Sequence, residues 1–240
     1  MLQKPLKIPK SLIRPVGRAI ADFKMIKDGD KILLGVSGGK DSLTLFHILR
    51  HFQHHAPISF ELATITIDPQ VSGFEPQKLA NYFEKFDTKF YFEEFPIMES
   101  AKEKMRGNSY CSYCARIKRG LMYRVVRDKG FNVLALGHHL DDLAESLMMS
   151  IFHNGRLQTM KANYVNDAGD VKIIRPLIYA RERQIKDFAK NAELPIIIDN
   201  CPACFEMPTQ REHFKQMLLD EEKNNTTLYK NILAAIKPII

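Results

Sequence analysis

The run Lys31-Ile32-Leu33-Leu34-Gly35-Val36, followed at once by Ser37-Gly38-Gly39-Lys40-Asp41-Ser42, restricts this chain more than any other stretch. The apolar run reads as a buried strand. Leu43, Leu45, Phe46, Ile48 and Leu49 then recur at the spacing of a helix's apolar face. The hexapeptide is therefore a tight turn between a strand and a helix. Gly38 and Gly39 let backbone N–H groups approach a ligand with no Cβ in the way. The helix start adds N–H groups without intrahelical partners and the positive end of the helix dipole. A phosphate or pyrophosphate is the ligand such a turn suits. The pattern is not a Walker A loop, which separates its glycines by four residues ahead of Lys and Ser/Thr. Here Asp41 follows Lys40 directly, and a carboxylate beside a phosphate calls for a bridging Mg²⁺.

Strand and helix patterns alternate along the rest of the chain. Glu61–Ile67 reads as a second strand ending at Asp68-Pro69, with a helix over 75–86 after it. Lys89–Phe92 is a third strand, 111–129 a long helix, Phe131–Leu136 a fourth strand, and another helix starts near Asp141. Val171–Ile178 is a further strand ending near Pro176. Helices over 181–191 and 208–222 flank a short extended run at 194–198. The alternation predicts an α/β fold, a mainly parallel sheet with helices on both faces. Right-handed crossovers would bring the carboxyl ends of the strands to one rim, where Ser37, Asp68 and Gly137 could line a crevice. Residues 1–15 are basic and punctuated by proline and read as an irregular arm, with a short amphipathic helix from Val16. The expected organisation is arm and short helix over 1–26, one main domain over 27–224, and a tail over 225–240 whose apolar end could pack on a second subunit.

The chain has 240 residues, 45% of them hydrophobic, enough for a packed core. Lys+Arg 35 against Asp+Glu 28 gives a net charge of +7, which fits a polyanionic partner. No apolar run is long enough to span a bilayer and no signal-peptide pattern opens the chain, so the cytoplasm is the expected location. The cysteines form two CxxC pairs, Cys111-Ser-Tyr-Cys114 and Cys201-Pro-Ala-Cys204. Each pair can chelate, and their separation is too long for a local zinc ribbon. Three readings stand: a closed zinc site on four thiolates, a pair of redox dithiols, or an iron–sulfur cluster.

Gly137-His138-His139-Leu140-Asp141-Asp142 is the second chemical signal. As local structure it reads as a helix start with Asp142 and Glu145 as a capping box. As chemistry, Gly137 and His138 could approach a nucleotide, and Asp141 and Asp142 could hold Mg²⁺ or act on a substrate base. Lys118 lies four residues after Cys114, on the same helix face, where it could steady phosphate charge. Arg116, Arg119, Arg124 and Arg127 make that helix basic enough to track an RNA backbone.

The string Ser37–Ser42 resembles the PP-loop of the N-type ATP pyrophosphatases, which cleave ATP between the α and β phosphates and adenylate a carbonyl oxygen. With the central CxxC, Gly137–Asp142, Arg175-Pro176-Leu177 and the late CxxC in order, the chain resembles the tRNA 2-thiocytidine synthetases from about Val16 to about Gln216. That resemblance implies an enzyme adenylating and thiolating C2 of cytidine 32 in the anticodon loop of tRNA, with release of AMP and pyrophosphate. It implies ATP contacts at Ser37, Gly38, Gly39, Lys40, Asp41, Ser42, Ile67, Gly137 and His138. It implies catalytic roles for Asp41, Lys118 and Asp142. A 4Fe-4S cluster would sit on Cys111, Cys114 and Cys204, with Cys201 a spare or a fourth ligand. A cysteine desulfurase as sulfur donor and a homodimer are further implications. Two alternatives remain: a related enzyme thiolating or aminating another tRNA base, and a non-catalytic RNA-associated protein holding Zn²⁺ on its cysteines.

Overall fold

A computed structural model describes residues 5–70, 74–97, 99, 100, 110–197 and 210–240, with backbone only at 110–112. Ile32, Leu33 and Leu34 are fully buried because their strand, β1 (Asp30–Gly35), lies inside a sheet covered on both faces. The chain runs α1 (Lys10–Asp22), β1, α2 (Lys40–His55), β2 (Phe60–Asp68), α3 (Pro76–Glu84), β3 (Phe90–Glu94) and α4 (Tyr110–Asp128). It continues through β4 (Val133–Ala135), α5 (Leu140–Asn154), β5 (Asn163–Val165), β6 (Lys172–Ile174) and a 3₁₀ turn (Pro176–Tyr179). The last elements described are α6 (Glu182–Asn191), α7 (Gln210–Asn224) and α8 (Leu228–Ile236). The six strands lie in the order β3-β2-β1-β4-β6-β5, all parallel except β5, which pairs antiparallel with β6.

Period-two alternation divides the core into two layers. Leu33, Ile65, Leu134 and Ile173 face Met122, Val125 and Val126 of α4. Ile32 and Leu34 point the other way, into the larger cluster with Phe46 and Leu49 of α2, Leu143 of α5 and Ile185 of α6. The chain builds leftward from β1 through β2 and β3, then crosses back to β4 on its other side. That reversal opens a crevice at the carboxyl ends of β1 and β4.

One local expectation changes, and two features go beyond the sequence pattern. The segment expected to be irregular to residue 15 is helical from Lys10, with Pro15 inside α1. Proline removes the N–H that would bond to Ser11 O, and Gln184 Nε2 donates to that carbonyl instead at 3.0 Å. Burial of Leu12, Val16 and Ala19 then holds the helix on the core. Strand β5 has too few residues to show a period, but the turn after it is well marked. Asn166 Oδ1 accepts from the N–H groups of Asp170 and Val171, and Gly169 sits at φ 79°. In the tail, Tyr229, Ile232 and Ile236 of α8 are buried against α5 and α7, while Ile239 beyond them is exposed. Ile236→Ala should cost about 2–4 kcal/mol by emptying a filled site. Urea unfolding checks this, and the loss should not depend on protein concentration.

Candidate active site

A cavity of about 340 Å³ opens where β1 and β4 end. Ser37 and Ser42 line it from the loop, Ile65 and Ile67 from β2, and Gly137 and His138 from the end of β4. The opposite wall is α4, through Ala115, Lys118, Arg119 and Met122. Two glycines make this closeness possible. A Cβ on Gly137 would stand 3.1 Å from Ser42 N and 3.2 Å from the Asp41 carbonyl carbon, so only glycine lets the end of β4 close on the start of α2. Gly38 adopts φ +84°, and a Cβ there would meet Ile197 Cβ at 3.0 Å. Ile197 N–H donates to Gly38 O at 2.9 Å, so the run expected at 194–198 lies on the loop itself. Asp68, expected in the crevice, does not line the cavity; its carboxylate accepts from Gln70 N–H at 2.7 Å.

Asp41 and Asp142 line the cavity; Asp141, which the sequence paired with them for metal or base, is buried elsewhere. Its Oδ2 accepts from Glu182 N–H at 2.8 Å, and Arg181 Nε donates to both its oxygens at 3.1 and 3.2 Å. Burial opposes its charge, but His139 and Arg181 outweigh that and hold its carboxyl well below the usual range. The capping box also differs from the expected Asp142–Glu145 pair. His139 is the N-cap: its N–H donates to Asp142 Oδ2 at 3.0 Å and its Nδ1 accepts from Asp142 N–H at 3.4 Å. His139 Nε2 is left 3.4 Å from Asp142 Oδ2 and 3.7 Å from Asp41 Oδ1. Burial works against a charged ring there, but the surrounding Asp141, Asp142 and Asp41 raise its pKa. Asp41 Oδ1 is buried and accepts no hydrogen bond among the described residues. Burial raises the Asp41 pKa, against the pull of His139 and Lys40. A cation at this oxygen would satisfy an orphaned acceptor.

Lys40 does not line the cavity. Its ammonium lies 2.9 Å from Glu182 and 3.2 Å from Asp41, while Glu182 also takes Lys215 of α7 at 2.8 Å. Burial pushes the Glu182 carboxyl up, but Lys215 and Lys40 bring it down to about 2. Beside it, Arg181 also binds both oxygens of Glu222, at 2.7 and 2.9 Å, and its guanidinium carbon sits 3.2 Å from the Tyr229 ring centroid. None of these partners was singled out from the sequence. Arg181 pairs with Glu222 across 41 positions and Glu182 with Lys40 across 142, with no local pattern, and only the fold brings them together.

The first CxxC pair opens α4. Cys114 is half-buried and immediately precedes Ala115 of the cavity wall; the side chain of Cys111 lies outside the described residues. Cys201 and Cys204 also lie outside them. The chain on either side of 198–209 is anchored at this rim: Ile197 on Gly38, and Arg211 3.6 Å from the buried Glu145 of α5.

Arg181→Met leaves Asp141 buried and uncompensated, and should cost about 3–5 kcal/mol. Adding Asp141→Asn should restore part of that loss in urea unfolding. Burial, then the like charge of Asp142, push the Glu145 carboxyl up to about 7. Between its ordinary pKa and that value the unfolded chain has lost a proton that the folded chain keeps, so rising pH destabilises the fold. Glu145→Gln should therefore raise the melting temperature at pH 8 and leave it unchanged at pH 4.

A PP-loop domain model matches residues 11–221. The tRNA-cytidine(32) 2-sulfurtransferase of Geobacter sulfurreducens is 41% identical over 228 residues, covering 95% of this chain and 89% of that relative. The enzyme of the same name from Escherichia fergusonii is 39% identical over 236 residues, covering 98% and 75%. Among solved structures, the U34-tRNA thiolase NcsA of Methanococcus maripaludis, described with its 4Fe-4S cluster, superposes with a TM-score of 0.75 at 22% identity, covering 95% of this chain and 78% of that one. An NH3-dependent NAD synthetase of Campylobacter jejuni shares the fold at a TM-score of 0.52 and 17% identity, covering 95% and 91%. With Ser37, Gly137 and Asp142 on one cavity and this likeness along nearly its whole length, the chain belongs to the PP-loop family, among the tRNA-cytidine(32) 2-sulfurtransferases.

Proposed function

We propose that this chain is an ATP-dependent tRNA sulfurtransferase that adenylates and then thiolates C2 of cytidine 32 in the anticodon loop. The observation that carries the reading is one cavity lined by Ser37, Asp41, Asp142 and Lys118, with Cys114 next to its wall. Ser37, Ser42 and the first N–H groups of α2 would hold the phosphates of ATP. Asp41, with its unbonded Oδ1, fits a Mg²⁺ ligand. Ile65, Ile67, Met122 and Leu136 offer an apolar slot for the adenine base.

The base of cytidine 32 enters splayed from a loop where it is already partly unpaired, so extrusion costs little. Its C2 carbonyl oxygen attacks the α-phosphate and pyrophosphate leaves. Lys118 would offset the charge that develops on the phosphate oxygens. Asp142, fixed by the His139 N–H, would orient the base and take up or return its proton. Sulfur then adds at C2 and the former carbonyl oxygen departs with AMP. A 4Fe-4S cluster on Cys111, Cys114 and Cys204 would supply the sulfur nucleophile when bound, with Cys201 a spare or a fourth ligand. A cysteine desulfurase as donor, a homodimer and a cytoplasmic location complete the proposal; among the described residues no helix is long and apolar enough to cross a membrane.

The test is nucleoside mass spectrometry of tRNA from a strain lacking this chain. Loss of 2-thiocytidine, restored by the wild-type protein, is expected; an unchanged nucleoside profile sinks the proposal. Cys114→Ala should abolish thiolation and leave ATP binding intact, whereas loss of both would make the cysteine structural. Iron, sulfide and zinc measured after anaerobic purification separate a cluster from a zinc site.

A further inference from the structure

Arg175 follows β6 at the same rim and is only 5% exposed, yet nothing in the scheme above uses it. Its Nε donates to His138 Nδ1 at 3.2 Å and its Nη1 to Lys161 O at 2.6 Å. The guanidinium carbon lies 5.4 Å from the Tyr164 ring centroid. Its own N–H donates to Ala162 O at 2.9 Å. The β5–β6 hairpin thus supplies a seat for one buried cation, and that cation aims one N–H at a ring that lines the cavity.

A guanidinium has five donors and no acceptor, and it stays protonated. A ring nitrogen facing it must offer a lone pair. In neutral imidazole the proton is then on the other nitrogen. We infer that Arg175 is a positioning residue: it fixes His138 as the neutral tautomer with its proton on Nε2, so that His138 serves as a hydrogen-bond donor to an acceptor atom of the bound nucleotide. The inference rests on reading the cavity as the nucleotide site. The charged and titratable groups facing His138 are Arg175, Asp142, Arg211 and His139. Burial first, then Arg175, push the His138 pKa down to about 4. Adding a proton would place Nδ1–H against a cation. His138 therefore offers direction and a donor without charge, and keeps both across the pH range of the cell. Its neighbour His139, whose Nδ1 caps α5 and whose Nε2 faces carboxylates, is shifted the opposite way.

Two measurements on the full chain test this. The first is ¹⁵N NMR of the histidine ring nitrogens from pH 5.5 to 8.5, with and without Mg²⁺ and α,β-methylene-ATP. The His138 signals are identified by their loss in His138→Gln. A neutral ring protonated on Nε2 throughout is expected. A proton on Nδ1, or titration near the ordinary histidine value, overturns the inference. The second is a double-mutant cycle read by calorimetric affinity for the same analogue. Arg175→Leu should weaken binding about 5- to 10-fold, the worth of one misdirected hydrogen bond. In a His138→Ala background there is no ring to orient, and the same change should cost less than about twofold. Equal losses in both backgrounds would make Arg175 a scaffold for the hairpin alone and overturn its role. If Arg175→Leu does not fold, Arg175→Gln takes its place in the cycle with the same expectations, since an amide can face Nδ1 with its oxygen or its nitrogen and so fixes neither tautomer. No binding of the analogue to the wild type sinks the nucleotide reading, and the ring nitrogen signals then judge the tautomer by themselves.

Discussion

The carboxylate of Asp141 is the point on which the rim depends. It is nearly fully buried, and in that setting an unmatched negative charge would be strongly unfavourable. Arg181 supplies the matching charge and the Glu182 N–H an added hydrogen bond. Arg181 then reaches Glu222 of α7 and the ring of Tyr229 on α8. One buried pair therefore ties the start of α5 to the start of α6 and to both C-terminal helices. An arginine suits this place because its planar fork can meet two carboxylates in fixed directions while its face lies on an aromatic ring. A lysine could not do all three.

That tie divides the work within the Asp141-Asp142 doublet. Side chains of adjacent helical residues point about 100° apart, so one faces inward to Arg181 and the next faces the cavity. The inward carboxylate fixes the helix; the outward one, held by the His139 N–H, is left to the ligand. The same division appears in the adjacent histidines. His138 is held from the β5–β6 side by a cation, and His139 is surrounded by carboxylates. Neighbours in sequence thus carry opposite electrostatic settings because they face different layers of the fold.

The strand–turn–helix at Ser37–Ser42 was legible because its signals in the sequence are local: an apolar run, glycines, then a helical period. The mainly parallel sheet followed from the alternation of patterns, though the order of its strands did not. Legibility ended where a residue's role comes from a distant partner. Nothing near Glu182 announces that it will join Lys40 and Lys215. Nothing near Pro15 shows that Gln184 will satisfy the carbonyl it frees, so the basic, proline-marked segment looked irregular. Asp141 and Asp142 looked equivalent because a sequence lacks the facing layer that separates them. Arg175 could be noticed as part of a motif, but its purpose needs the edge strand β5, whose three residues are too few to show a period.

The phosphate loop and the chain around the second cysteine pair are also mechanically joined. Gly38 can have no side chain because Ile197 rests against it, and their backbone hydrogen bond fixes that contact. Beyond 198–209, Lys215 shares Glu182 with Lys40. An anionic ligand that draws Lys40 toward the loop would leave Glu182 to Lys215 alone, strengthening the hold of α6 on α7. One that displaces Gly38 would move Ile197 directly. The loop is therefore joined to the chain on both sides of 198–209, through a backbone contact on one side and a shared carboxylate on the other.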